Sequence, residues 1–433
     1  MAKESYKFIL VIFLYCTPLF SESSELLYTS STEFKAINEQ SLLPGTEQYT
    51  AINELKVLLE NAQPPNPFTL EDDSKIDFDW CREPENNRTL RDLITKLENQ
   101  SAFARDMAQL YLYTKNKDAL AVSYDYIKSW TQNSTLINGY KLGMKPDKAW
   151  FPGIEKGFCN RSWNMMLDTI WQSYGLINFS QVYMILKAHP EALNLNSDNL
   201  NEIHNWLARE LVPAVNAGFH AWTRWADANP KSKAYVRYRS DNHLSWVLAG
   251  LSAAAVALTD KDLFRYVVYG TEYDDGVSGP YFNPSNLLQL TSVSIDNSGK
   301  IFDQEERRSQ HKGMFYANFN LWALTAAYVA IINSSFEIDS QSENKIRQKL
   351  YSALNYYSNY ISKKTENPDA EEKSDETFFA FVYLLGKPIV CADSVYNSNF
   401  TAAALARNNQ KIIQGIGHIS LARLTNNTET WCN

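Results

Sequence analysis

Two short stretches of this sequence bring together residue types that can hold an anion. The first is Arg239-Ser-Asp-Asn-His-Leu-Ser-Trp246, at the head of an Ala-rich apolar run. Asn242, His243 and Trp246 fall within one helical turn and so present their side chains near one another. A helix start gathers partial positive charge and unpaired N–H groups, which favours anionic ligands. The same residues also fit an Asp or Asn N-cap followed by an ordinary partly buried histidine. The second stretch is Glu305-Glu-Arg-Arg-Ser-Gln-His-Lys-Gly-Met-Phe-Tyr-Ala-Asn-Phe-Asn-Leu321. Its basic loop (Arg307, Arg308, Lys312) feeds a helix that carries Tyr316 and Asn320 at i, i+4. Read alone, it is a solvated charged loop followed by a core tyrosine.

Helices must position both stretches. Apolar residues recur at spacings of three and four from Leu90 onward, and two such segments flank Thr114-Lys-Asn-Lys-Asp118 within 103–130. The pattern returns at 161–188, 197–221, 243–258, 261–270, 312–333, 344–362, 376–385 and about 399–424. Aromatic-rich loops fill 145–160, 222–242 and 274–308, and loops this long inside a helical domain tend to be functional. The Gln63-Pro-Pro-Asn-Pro67 run bars a helix there, so residues 24–85 read as an extended N-terminal segment. No linker divides the remainder, and 86–433 reads as one domain.

Composition agrees. The 433 residues include only 16 Gly and 15 Pro, too few for a fold of many short strands joined by tight turns. Net charge is −8, which excludes a basic nucleic-acid binder. The expected class is all-α, an incomplete (α/α) toroid of helical hairpins with long active-site loops. Lys3 and Lys7 before the apolar run Phe8 to Cys16 have the outline of a secretory signal over residues 1–23. Later windows read as too charged to span a bilayer, so no membrane partner is expected after signal removal. The expected location is extracellular or periplasmic, and the expected state is a monomer. Cys81, Cys159, Cys391 and Cys432 then remain for two disulfides with three possible pairings. Sequons stand at Asn87, Asn99, Asn133, Asn160, Asn178, Asn333, Asn399 and Asn426, to be used where the export route glycosylates. No metal-ligand spacing is present, and no cofactor is expected.

Asp241-Asn-His-Leu-Ser-Trp246 resembles the Asn-Asn-His-Ser-Tyr-Trp motif of the mannuronate-specific alginate lyases, polysaccharide lyase family five and its relatives. Ser298-Gly-Lys-Ile-Phe-Asp-Gln-Glu-Glu-Arg-Arg308 is similar to that family's Asp-Gly-x-x-Pro-x-Glu-x-x-Arg segment. Tyr316-Ala-Asn-Phe-Asn-Leu321 follows where members read Tyr-His-x-Tyr/Phe-x-Leu. The resemblance is clear over about 236–335 and fainter at 103–130. It departs at Asp241 (Asn in the family), at Phe302-Asp303 (Pro) and at Ala317 (often His).

The resemblance implies β-elimination at a 1,4-linked polyuronate without a metal. Asn242, His243 and Arg308 match the residues that neutralise the uronate carboxylate, which makes the C5 hydrogen removable. Tyr316 matches the tyrosine acting as base at C5 and acid at the leaving oxygen. Arg308 lies eight residues before Tyr316 where seven is expected, so Arg307 stays a rival for its role. Arg237, Arg239, Arg307, Lys312 and Trp246 are further substrate-binding candidates. With Lys231 and Lys233 the cations form a stripe that would attract an acidic polysaccharide despite the net charge. Trp150, Trp222, Trp225 and Tyr238 are candidate sugar platforms. The alternatives are an inverting glycoside hydrolase on a similar toroid, with Asp241 and Asp275 as its carboxylates, or a non-catalytic glycan-binding protein.

Overall fold

The structure is a computed structural model and describes residues 27–30, 33–35, 43–66, 84–133, 161–216, 240–276, 280–361, 382 and 385–390. The regular structure of these residues is helical apart from one short hairpin and an isolated antiparallel bridge between Ile295 and Ile301. The helices are α1 (Glu47–Glu60), α2 (Pro84–Thr114), α3 (Lys117–Asn133), α4 (Arg161–Ala188) and α5 (Ser197–Trp206). They continue with α6 (Asn242–Leu258), α7 (Lys261–Tyr269), α8 (Leu287–Ser294), α9 (Phe302–Glu306), α10 (Gly313–Ile332) and α11 (Ser340–Ile361). Strands β1 (Tyr273–Asp274) and β2 (Pro280–Tyr281) pair antiparallel, with Tyr273 opposite Tyr281.

Local chemistry sets where the helices stop and start. Lys115 adopts a left-handed conformation and its amide closes α2 on the Tyr111 carbonyl, while Asn116 Oδ1 accepts from the Asp118 amide to open α3. Asn196 and Asn199 form a reciprocal capping box at the start of α5. A π-helical turn, Leu207–Leu211, extends that helix. Asp241 caps α6 and Asp260 caps α7. Gly270 ends α7 at φ +76°, where a Cβ would collide with the Asn283 carbonyl.

Packing follows a row in which α2 touches α3 and α4, α4 touches α6, α6 touches α10 and α10 touches α11. Helices α6 and α10 are apolar on nearly all sides and almost wholly buried, as central helices must be. Small residues let the row close up: a Cβ on Gly250 of α6 would sit 3.1 Å from Cα of Ser173 on α4. The all-α class and the hairpin construction agree with the expected (α/α) toroid.

Four observations correct or sharpen the expectations. Residues 47–60 are helical, not extended: Thr46 caps α1, and Ile52 and Leu55 pack on Met107, Leu110, Tyr113 and Ala119. Each such burial is worth about 2 kcal/mol, and the helix stops at Asn61, just short of the proline run. The stretch 274–308 is no plain loop, since it holds β1, β2, α8 and α9. Helix α10 is long and apolar enough to cross a membrane, contrary to the expectation for later windows, but most of it is buried as a core helix. The Asn178 sequon is closed: its side chain is fully buried, accepting from Arg105 Nη1 at 2.8 Å and donating to Ser101 Oγ at 3.0 Å.

The leader, all the cysteines, the loops at 145–160 and 222–239, the tail at 399–424, and the candidates Arg237, Arg239, Lys231, Lys233, Trp150, Trp222, Trp225 and Tyr238 lie outside the described residues.

Candidate active site

The site grows from the N-terminal ends of α6 and α10. Asp241 caps α6 by accepting from the His243 amide at 3.1 Å, and its other oxygen lies 3.2 Å from His243 Nδ1. One carboxylate therefore sets both the helix start and the imidazole orientation. Ser245 Oγ, half a turn further on, donates to Asn320 Oδ1 of α10 at 2.5 Å. Asn320 Nδ2 donates to the Ser240 carbonyl at 3.1 Å and to Asp303 Oδ2 at 2.7 Å. Asn242 Nδ2 reaches the remaining oxygen, Asp303 Oδ1, at 3.4 Å. Three elements, α6, α9 and α10, are thus joined by polar groups drawn from far apart in sequence.

The electrostatics of this cluster are unusual. Asp303 is fully buried, and its carboxyl is pushed up to about 7, first by desolvation and then by the neighbouring Asp241 charge. Hydrogen bonds from Asn320 and Asn242 and the charge of Arg307 act in the opposite direction. Among the described residues, Asn242 Oδ1 and Arg307 Nε are buried without a hydrogen-bond partner, as are several other polar atoms in the core. What sets these two apart is that both flank the buried Asp303 carboxyl.

Tyr316 sits one turn before Asn320 on α10 and is half-buried. The Arg307 guanidinium lies over its ring, 4.5 Å from the centroid. Arg307 is itself only 8% exposed, and the hydrogen bond from its guanidinium to Gln310 Oε1 is long at 3.4 Å. Arg308 is different. More than half of its side chain is exposed, and it pairs with Glu305 at 3.8 Å across a surface turn. Arg308 and its rival Arg307 were both expected near the substrate carboxylate, and the arginine packed against Tyr316 is Arg307. A short 3-10 turn, Arg308–Gln310, and left-handed His311 separate α9 from α10, and that break decides which arginine turns inward.

Other candidates fall as follows. Trp246 is fully buried against Tyr174 (centroids 4.5 Å apart), Phe319 (5.0 Å) and Trp322 (5.7 Å). It supports the site from beneath and has no face for a sugar, which corrects its expected binding role. Lys312 is exposed at the start of α10, and His311 is exposed beside it. Asp275, one of the two carboxylates considered for hydrolysis, accepts from Asn216 Nδ2 at 3.0 Å within a buried cluster, and Asp241 is engaged by His243. Asp303 was not foreseen as a site residue: in sequence it marks only a departure from a proline. Among the described residues, no group of three or more His, Cys, Asp or Glu side chains could hold a metal ion.

A profile of the alginate lyase family matches residues 51–367. Among solved structures, a histidine-to-alanine variant of alginate lyase A1-III complexed with a tetrasaccharide is similar at 13% identity. The match covers 87% of this chain and 92% of that one, with a TM-score of 0.47. A tyrosine-to-phenylalanine variant of that enzyme, also complexed with a tetrasaccharide, matches at 12% identity over the same shares with a TM-score of 0.48. A search of curated protein sequences finds no match.

Proposed function

This chain belongs to the alginate lyase family, a family of polysaccharide lyases, and on that premise we propose that it cleaves a 1,4-linked polyuronate by metal-independent β-elimination after export. The observation that carries the reading is the Arg307–Tyr316 pair: a buried guanidinium on a phenol face, with an unpartnered N–H on the arginine.

In this reading the uronate carboxylate of the sugar being cleaved binds Arg307, with Asn242 and His243 completing its neutralisation. Arginine suits the task because its planar fork matches a carboxylate and its charge is permanent. Neutralisation spreads the negative charge that develops when the C5 hydrogen leaves. Tyr316 takes that hydrogen as a proton. The electron pair forms the C4–C5 double bond, the C4–O bond breaks, and the departing glycosidic oxygen receives a proton from the same tyrosine. Polyuronates built of mannuronate or glucuronate are the substrates to test. Export is supported by the basic–apolar outline of residues 1–23.

The test is the ultraviolet absorbance of the unsaturated uronate, measured over a panel of uronate polymers. Absorbance is expected with polymannuronate or glucuronan and should fall by a factor of about 10³ in Tyr316→Phe with binding retained. New reducing ends without absorbance would show hydrolysis instead, and binding without cleavage would show a glycan-binding protein.

A further inference from the structure

Asp303 joins the two halves of the site, and three details of its surroundings share one explanation. Its bond to Asn320 is short (2.7 Å), its contact with Asn242 is long (3.4 Å), and the Asn242 amide oxygen is buried with no partner. An ionised carboxylate only accepts, so it can be served only by the NH2 side of Asn242. The amide oxygen is then left facing nothing. The two ends of an amide are interchangeable in shape, and their assignment follows from the hydrogen-bond network.

We propose that Asp303 is a positioning residue for the elimination: as a neutral acid it donates Oδ1–H to the Asn242 amide oxygen, while Oδ2 keeps its bond from Asn320. The exchange turns the Asn242 NH2, on a side chain that is fully buried, to the side that has no protein partner, where a substrate carboxylate would meet it only as it enters the site. The inference rests on the lyase reading for what that donor meets. The charged groups that act on Asp303 are Asp241, the cap of α6, and Arg307, beyond α9; behind them His243 meets Asp241 and Tyr316 lies under Arg307. From α11, Tyr357 hydrogen-bonds Gln304 and the Ile301 amide beside it. Burial and the Asp241 charge both favour the neutral form, against Arg307. Raising the pH removes the proton, returns the carboxylate to accepting only, and turns the Asn242 donor away. Turnover therefore falls on the alkaline side as Asp303 ionises.

Asp303→Asn is a permanent copy of the neutral acid, since its NH2 donates to Asn242 and its oxygen accepts from Asn320. It should keep kcat/KM within about threefold near pH 6 and extend activity to higher pH, whereas Asp303→Ala should lose about 10- to 100-fold. An Asp303→Asn enzyme as poor as Asp303→Ala, or one with the wild-type alkaline limb, overturns the proposal. A second readout needs no turnover. A carboxyl titrating higher folded than unfolded stabilises the fold below about pH 4 and loses that contribution as pH rises toward 7. The Tm advantage of Asp303→Asn should thus grow across that window, and a difference that stays flat with pH overturns the neutral acid. If wild type produces no unsaturated uronate, the lyase reading fails. The Tm comparison still decides the protonation, and calorimetric binding of a uronate trimer to the two variants then decides the positioning, with equal loss in both overturning it.

Discussion

Two buried asparagines in this protein sit in polar clusters of similar make-up and opposite completeness. Asn178, between α2 and α4, has its carbonyl filled by Arg105 and its amide spent on Ser101, and Arg105 is paired in turn with Asp106 at 2.7 Å. Asn242, at the head of α6, has a long bond on one side and nothing on the other, and its neighbour Arg307 keeps an orphan N–H. A saturated cluster fixes two helices against each other, and its value is stability. A cluster left short of partners destabilises the empty protein and makes sense where a ligand supplies what is missing.

The contrast can be broken by substitution. The largest expected effect is at Arg307: Arg307→Ala should lower kcat by about 10²–10³ with Tm unchanged or raised, while Arg308→Ala stays within about threefold. Steady-state assays with melting curves on both variants check this, and a kinetic defect in Arg308→Ala alone would reverse the assignment. Next comes Arg105→Ala, which leaves Asn178 and Asp106 short of a buried donor and should cost about 3 kcal/mol. Denaturant unfolding reads that loss, and the kcat of the remaining folded enzyme should match wild type. The smallest effect is expected at Lys312, exposed beside the site. Lys312→Ala should raise KM about twofold at low ionic strength, and the difference should vanish in 0.5 M salt if the lysine acts only through long-range attraction.

Much of the frame was legible from periodicity. The breaks at Thr114, Ala188 and Leu258 fall where the three-and-four spacing fails or a capping residue appears. Helix α1 was not legible, because the proline run beside it dominated the reading of that whole region. The two motifs of the site were visible as residue types, yet their assembly was not. Counting residues back from Tyr316 cannot distinguish Arg307 from Arg308 when a 3-10 turn and a left-handed histidine intervene. Trp246 carried the right residue type for sugar stacking, but only the surrounding rings reveal that it faces inward. Asp303 was hidden for a related reason, since its meaning lies in Asn242, 61 positions earlier, and in Asn320, 17 later.

The enclosed Asn178-Phe-Ser180 tripeptide has a consequence for how the chain is made. In a secretory host that attaches glycans to nascent chains, the transferase and the neighbouring helix compete for the same side-chain nitrogen. A copy modified there carries a bulky sugar where Arg105 and Ser101 belong, and α4 cannot dock on α2. Yield in such a host is then set by a race between two clocks, helix docking and sugar transfer. Replacing Ser180, itself fully buried, with alanine stops one clock and leaves the other running.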